Sequence, residues 1–120
     1  MAGTSRSILI VEDEPLIAMM LEDILESLGH DVVACCESVA EALGHVEAGG
    51  FDVAIIDVQL KDGERVWPVA DRLADTGKPF VVATGGHIDP PPARHAAVPV
   101  LSKPYTIDSI EPAIARAFGG

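Results

Sequence analysis

Apolar positions along this chain fall into two alternating rhythms. Ile8-Leu9-Ile10-Val11, Phe51 through Ile56 and Pro79 through Ala83 are short aliphatic runs rich in β-branched residues. Such runs, bounded by glycine or by charge, predict strands buried on both faces of a parallel sheet. Between them the apolar residues recur at intervals of three and four, which is the helical period. Ile17, Leu21, Ile24 and Leu28 follow Pro15, a residue suited to a first helical turn, and Gly29 stops the pattern. Ser38-Val39-Ala40-Glu41 predicts a capping box ahead of Leu43 and Val46, with Gly49-Gly50 as the stop. Val66, Val69, Ala70 and Leu73 predict a third helix closed by Gly77, and Ile107, Ile110, Ile114 and Phe118 predict a last one. Pro112 lies inside that last pattern, so the helix either starts near Asp108 or kinks.

Two further runs are weaker. Asp31–Cys36 is half polar, and Val98–Ser102 contains Pro99, so both predict edge strands. The stretch His87-Ile88-Asp89-Pro90-Pro91-Pro92 cannot open a regular helix, so a fourth helix is expected to be short, late or absent. Strands alternating with helices imply right-handed crossovers and an α/β fold: a single five-stranded parallel sheet, doubly wound. With the most apolar strands central, the expected order is 2-1-3-4-5, with its switch point between strands one and three.

Both strands at that switch point end on acids. Residues 8–12 form the first strand and lead into Glu12-Asp13-Glu14; the third strand ends at Asp57. Open α/β sheets bind ligands beyond the carboxyl ends of their strands, where Thr84 and Lys103 also fall. Singly, a strand-end Asp usually caps a helix and a Lys usually sits in solvent. Together at one edge, Glu12, Asp13 and Asp57 would repel one another without a partner. A hard divalent cation with oxygen ligands resolves the repulsion, and Mg²⁺ requires only one or two carboxylates plus waters and a phosphoryl oxygen. Cation, lysine and hydroxyl would then grip a phosphoryl group on Asp57, whose carboxylate can act as a nucleophile.

The order Glu12-Asp13, Asp57, Thr84, Lys103-Pro104 resembles the receiver domain of two-component response regulators, over nearly the full length and with the flavodoxin-like fold. The resemblance implies Mg²⁺ held by Glu12 or Asp13, by Asp57 and by the backbone carbonyl of Gln59. It implies phosphorylation of Asp57 by a histidine kinase or histidine phosphotransfer protein, with Thr84 and Lys103 contacting the phosphoryl group and a cis Lys103-Pro104 bond. It further implies that residues 1–120 are one receiver domain without an output domain, acting on an unknown downstream protein or as a phosphate sink. Such a protein is no enzyme beyond its own phosphoryl transfer and autodephosphorylation. The chain departs from the usual pattern in two places. The loop Val58 to Glu64 lacks the customary proline, and Val100 stands where many members carry a switching aromatic. Trp67-Pro68, Pro79-Phe80 and Ala83-Thr84-Gly85 resemble the single-domain receivers with a Phe-Ala-Thr-Gly signature, with Val82 at the phenylalanine position. With Val100 too small to switch, Gly85 through Arg94 is expected to be the mobile element.

Composition narrows the alternatives. The chain of 120 residues is the size of one domain. A net charge of -11, with only eight Lys+Arg, argues against nucleic acid as a partner. No run approaches the roughly 18 apolar residues of a membrane span and the N-terminus carries no apolar signal segment, which predicts a cytoplasmic protein without a membrane partner. Adjacent Cys35 and Cys36 suit two buried thiols, or one buried and one facing a helix, better than a strained disulfide or a zinc site. Of the histidines His30, His45, His87 and His95, His45 reads as solvated and His87 is near enough to Thr84 to reach the site. Leu16, Met19 and Met20 widen the apolar face of the first helix, as core or as a surface for a kinase helix. Two rival functions remain. An aspartate-nucleophile phosphatase of the haloacid-dehalogenase type would want a second Asp at position 59, where this chain has Gln59. A phosphorylation-independent adaptor would keep the fold without the chemistry.

Overall fold

The computed structural model describes residues 5–58, 60, 64–84, 92–102 and 105–118. Among these, five strands form one parallel sheet in the order β2-β1-β3-β4-β5. They are β1 (Ser7–Val11), β2 (Asp31–Cys36), β3 (Val53–Asp57), β4 (Phe80–Thr84) and β5 (Val100–Ser102). Helices α1 (Pro15–Ser27), α2 (Val39–Ala48), α3 (Trp67–Asp75) and α4 (Ile107–Ala117) cover the two faces, and a 3₁₀ turn spans Ala93–His95. The expected doubly wound order is therefore the observed one. Between β4 and β5 the described chain holds that single turn, as the proline run implied, and residues 85–91 lie outside the described residues.

Side-chain alternation sorts the strands into two cores. Ile8, Ile10, Val53, Ile55, Val81 and Ala83 point to one face and meet Leu21 and Leu25 of α1 with Ile110, Ala113 and Ile114 of α4. Leu9, Val11, Ala54, Ile56 and Val82 point to the other, against Ala42 and Val46 of α2 and Val69, Ala70 and Leu73 of α3. All five residues of β3 are buried, so no position in it can be polar without a partner until the strand ends. Each aliphatic side chain sunk in this way contributes about 1.5–3 kcal/mol.

Local details depart from the expected ones for identifiable reasons. The buried stripe of α1 is Ala18, Leu21 and Leu25, with Ile17, Ile24 and Leu28 half-buried beside it. At α2, Ser38 accepts from the Glu41 N–H at 3.2 Å, but the Glu41 carboxylate reaches back to the N–H of Glu37, at 2.8 Å, rather than that of Ser38. β5 is shorter than expected because Pro99 has no N–H to donate; its carbonyl instead accepts from Val82 at 3.0 Å. Helix α4 starts at Ile107, capped by Thr106 and Ser109 in a reciprocal pair, and runs on through Pro112. Of the cysteines, Cys36 is buried and Cys35 is exposed, because β2 is an edge strand whose alternate residues face outward.

Two histidines are structural. His30 is buried: its Nδ1 accepts the Arg6 N–H at 3.0 Å and its Nε2 lies 2.5 Å from Glu111 of α4, which fixes the proton on Nε2. His95 is 1% exposed, stacked on Trp67 with ring centroids 6.0 Å apart and edge-on to Phe80 at 5.6 Å. Its Nε2 bonds Asp71 of α3 at 2.8 Å, and neighbouring Arg94 pairs with Asp71 and Asp75. Arg94 and His95 are thus tied to α3 at the far end of the segment expected to be mobile, whose residues 85–91 lie outside the described residues. His95→Ala should cost about 2–4 kcal/mol in urea unfolding, since it opens a cavity between Trp67 and Phe80, whereas Asp71→Ala should cost about 1 kcal/mol. A smaller loss for His95→Ala than for Asp71→Ala would contradict this fastening.

Candidate cation and phosphoacceptor site

The register of the sheet decides which side chains meet. Val11 of β1 lies beside Ile56 of β3, so the residues that follow, Glu12 and Asp57, leave the sheet side by side. Asp57 pairs with Ala83, which sets Thr84 one residue beyond it, and Thr84 pairs with Ser102. The backbone after Asp57 is held at both ends. Val58 donates to the Ala83 carbonyl at 3.0 Å, and its own carbonyl accepts from Val66 at 3.1 Å.

Glu12, Asp13 and Asp57 each bring a carboxylate oxygen to one point, all within 4.8 Å of one another. Glu12 and Asp57 are buried and Asp13 is half-exposed. At that spacing, with an effective dielectric constant of about 20, each pair of charges repels by about 3 kcal/mol. The donor set fits Mg²⁺: all are hard oxygens, and opposite ligands across an octahedral Mg²⁺ sit about 4.2 Å apart, close to the span of the cluster.

Tyr105 completes this corner, and no signal in the sequence pattern singled it out. Buried among the side chains of α1 and α4, it turns its hydroxyl to Glu12 and donates to Oε1 at 3.5 Å. The other oxygen of Glu12, Oε2, accepts the N–H of Glu14 at 3.3 Å. Burial, then the charges of Glu12 and Asp57, push the Tyr105 phenol well above its ordinary value.

Residues 8–115 match the family described as the response regulator receiver domain. The chain belongs to the response regulator receiver domains. This receiver is similar to SdrG from Sphingomonas melonis Fr1, whose solution structure has 52% sequence identity and a TM-score of 0.86, covering 95% of this chain and 97% of that one. The BeF3-activated conformation of SdrG, from Pseudomonas melonis Fr1, is similar at 54% identity and a TM-score of 0.78, covering 93% and 94%. The phyllosphere-induced regulator PhyR of Methylorubrum extorquens is 43% identical over 76 residues, or 62% of this chain. The match spans only 28% of PhyR's length.

In this receiver the structure brings together Glu12, Asp13 and Asp57, and sets Thr84 at the same sheet edge. Lys103, Pro104, Gln59 and His87 lie outside the described residues, as do the ligand, phosphoryl and cis-peptide roles expected of them. His45 is exposed on α2, as expected. No helix among the described residues is long and apolar enough to cross a membrane.

The buried phenol sets an alkaline limit on the metal-free fold. The native state keeps Tyr105 protonated where the unfolded chain, at a pKa near 10, loses the proton. Its contribution is complete below about pH 10 and falls away above it. Cys36 acts in the same sense from pH 9 upward, its thiol pushed from 9.0 to about 12 by burial ahead of Glu41 and Cys35. Tyr105 is the only tyrosine of the chain, so tyrosinate absorbance reports on it alone. That absorbance should rise only as the helical circular dichroism is lost; ordinary titration near pH 10 with the fold intact would contradict the burial of the hydroxyl.

Proposed function

We propose that this receiver accepts a phosphoryl group on Asp57 in a Mg²⁺-dependent reaction and that the phosphorylated form changes its contact with another protein. The observation carrying this reading is the convergence of Glu12, Asp13 and Asp57 within 4.8 Å, at the switch point of a receiver fold. An Asp57 carboxylate oxygen attacks the phosphorus of a phosphohistidine donor. The new O–P bond forms as the donor P–N bond breaks, and the electron pair returns to the imidazole. Glu12, Asp13, Asp57 and the Gln59 carbonyl would hold Mg²⁺, which when bound neutralises charge on the phosphoryl oxygens. Thr84, at the end of β4, offers a hydroxyl to the same group, and Lys103 supplies a cation there. Beyond this transfer and its reversal by water, the reading assigns no enzymatic activity.

The partner reading rests on α1. Leu16, Met19 and Met20 are 80%, 55% and 42% exposed on a helix that opens two residues after Asp13. Such an apolar, methionine-bearing surface beside the acceptor supports docking of a helix from a histidine kinase or phosphotransfer protein. The similarity to SdrG, a protein with a BeF3-activated conformation, supports the reading that this receiver switches too. With its net charge of -11 the chain is unsuited to nucleic acid, so the downstream target is read as a protein.

Incubation with a small phosphodonor and Mg²⁺ should add one phosphoryl group, read by intact mass. Asp57→Asn or chelation of the metal should each reduce labelling at least about 100-fold, because both the nucleophile and the charge neutralisation are removed. Labelling of the Asn variant at the parental rate would overturn Asp57 as the acceptor, and a parent that takes up no phosphoryl group would favour a phosphorylation-independent adaptor.

A further inference from the structure

We propose that Tyr105 is a positioning residue for the cation site, holding Glu12 in the orientation from which its carboxylate serves a divalent cation. The inference rests on the Mg²⁺ reading above and deepens it. Glu12 is 1% exposed and Tyr105 6%, so neither side chain is free to satisfy itself with bulk water. The two oxygens of Glu12 are held by different parts of the chain. Oε1 takes the Tyr105 hydroxyl, from just ahead of α4, and Oε2 takes the N–H of Glu14, from the entry to α1. Both bonds are long, at 3.5 and 3.3 Å, and so individually weak; what restrains Glu12 is that their two donors sit on separately anchored parts of the fold.

The ring is what makes the restraint rigid. Tyr105 belongs to the core formed by Ile8, Ile10, Leu21, Ile110 and Ile114, and its hydroxyl is the only polar group it carries. A phenol is also a neutral donor. It orients a carboxylate without adding a positive charge that would compete with the incoming cation, as a lysine or arginine at this place would. Glu12 consequently meets the cation with its torsions already restricted, and less conformational freedom is lost on binding. A phenylalanine would fill the same volume and lose only this function.

The test is calorimetric titration of metal-free protein with Mg²⁺, for the parent, Tyr105→Phe, Glu12→Gln and the double variant. Loss of this long hydrogen bond should weaken Mg²⁺ binding about 3- to 5-fold in Tyr105→Phe. The thermal midpoint of the metal-free variant should stay near that of the parent, because the ring still fills its place. In the Glu12→Gln background the same change should alter affinity by less than about twofold, since the oriented ligand is already gone. Equal affinities for the parent and Tyr105→Phe would overturn the role of Tyr105 while leaving the cation reading intact. An equal loss in both backgrounds would show an effect that does not pass through Glu12, and would also overturn it. A parent that binds no Mg²⁺ would overturn the cation reading and the role together.

Discussion

The structure depends on β1 and β3 lying side by side in parallel with both faces covered. Neither strand can place a charged group anywhere along its buried length without a cost of several kcal/mol. Polarity is therefore deferred to the first residues past the sheet, Glu12 and Asp13 on one strand, and to the last residue of the other, Asp57. Parallel register then brings these deferred charges to the same edge. The acid cluster is a product of the packing rule, and its three carboxylate oxygens, within 4.8 Å of one another, are what make this edge a candidate cation site.

That logic explains why so much was legible in advance. Buried strands announce themselves as aliphatic runs, and their order follows from which runs are the most apolar. The strand-end acids are conspicuous because they interrupt those runs. Tyr105 was not legible for the opposite reason: it follows β5 and precedes the periodic part of α4, where no hydrophobic rhythm constrains it. Its hydroxyl matters only because tertiary packing turns it toward Glu12, some 93 residues away in sequence. His95 escaped notice likewise. A lone histidine after a run of prolines carries no pattern, and its role depends on Trp67, Asp71 and Phe80 from two other elements.

The fastening of the 3₁₀ turn to α3 changes where motion can reside. β4 is held by its neighbours up to Thr84, and the chain is held again from the turn at Ala93–His95. A histidine–aspartate bond and an aromatic stack thus tie the turn to α3, while β5 carries the exposed Val100.

The distribution of aromatic rings has an optical consequence. Trp67, the only tryptophan, packs on the face covered by α2 and α3, while the only tyrosine packs on the face covered by α1 and α4. The sheet separates the two chromophores, and the imidazole of His95 lies stacked 6.0 Å from the indole. Indole emission is thus an intrinsic gauge of whether the turn is seated on α3. Tryptophan fluorescence therefore reports on the α2–α3 face of the sheet and tyrosine absorbance on the α1–α4 face.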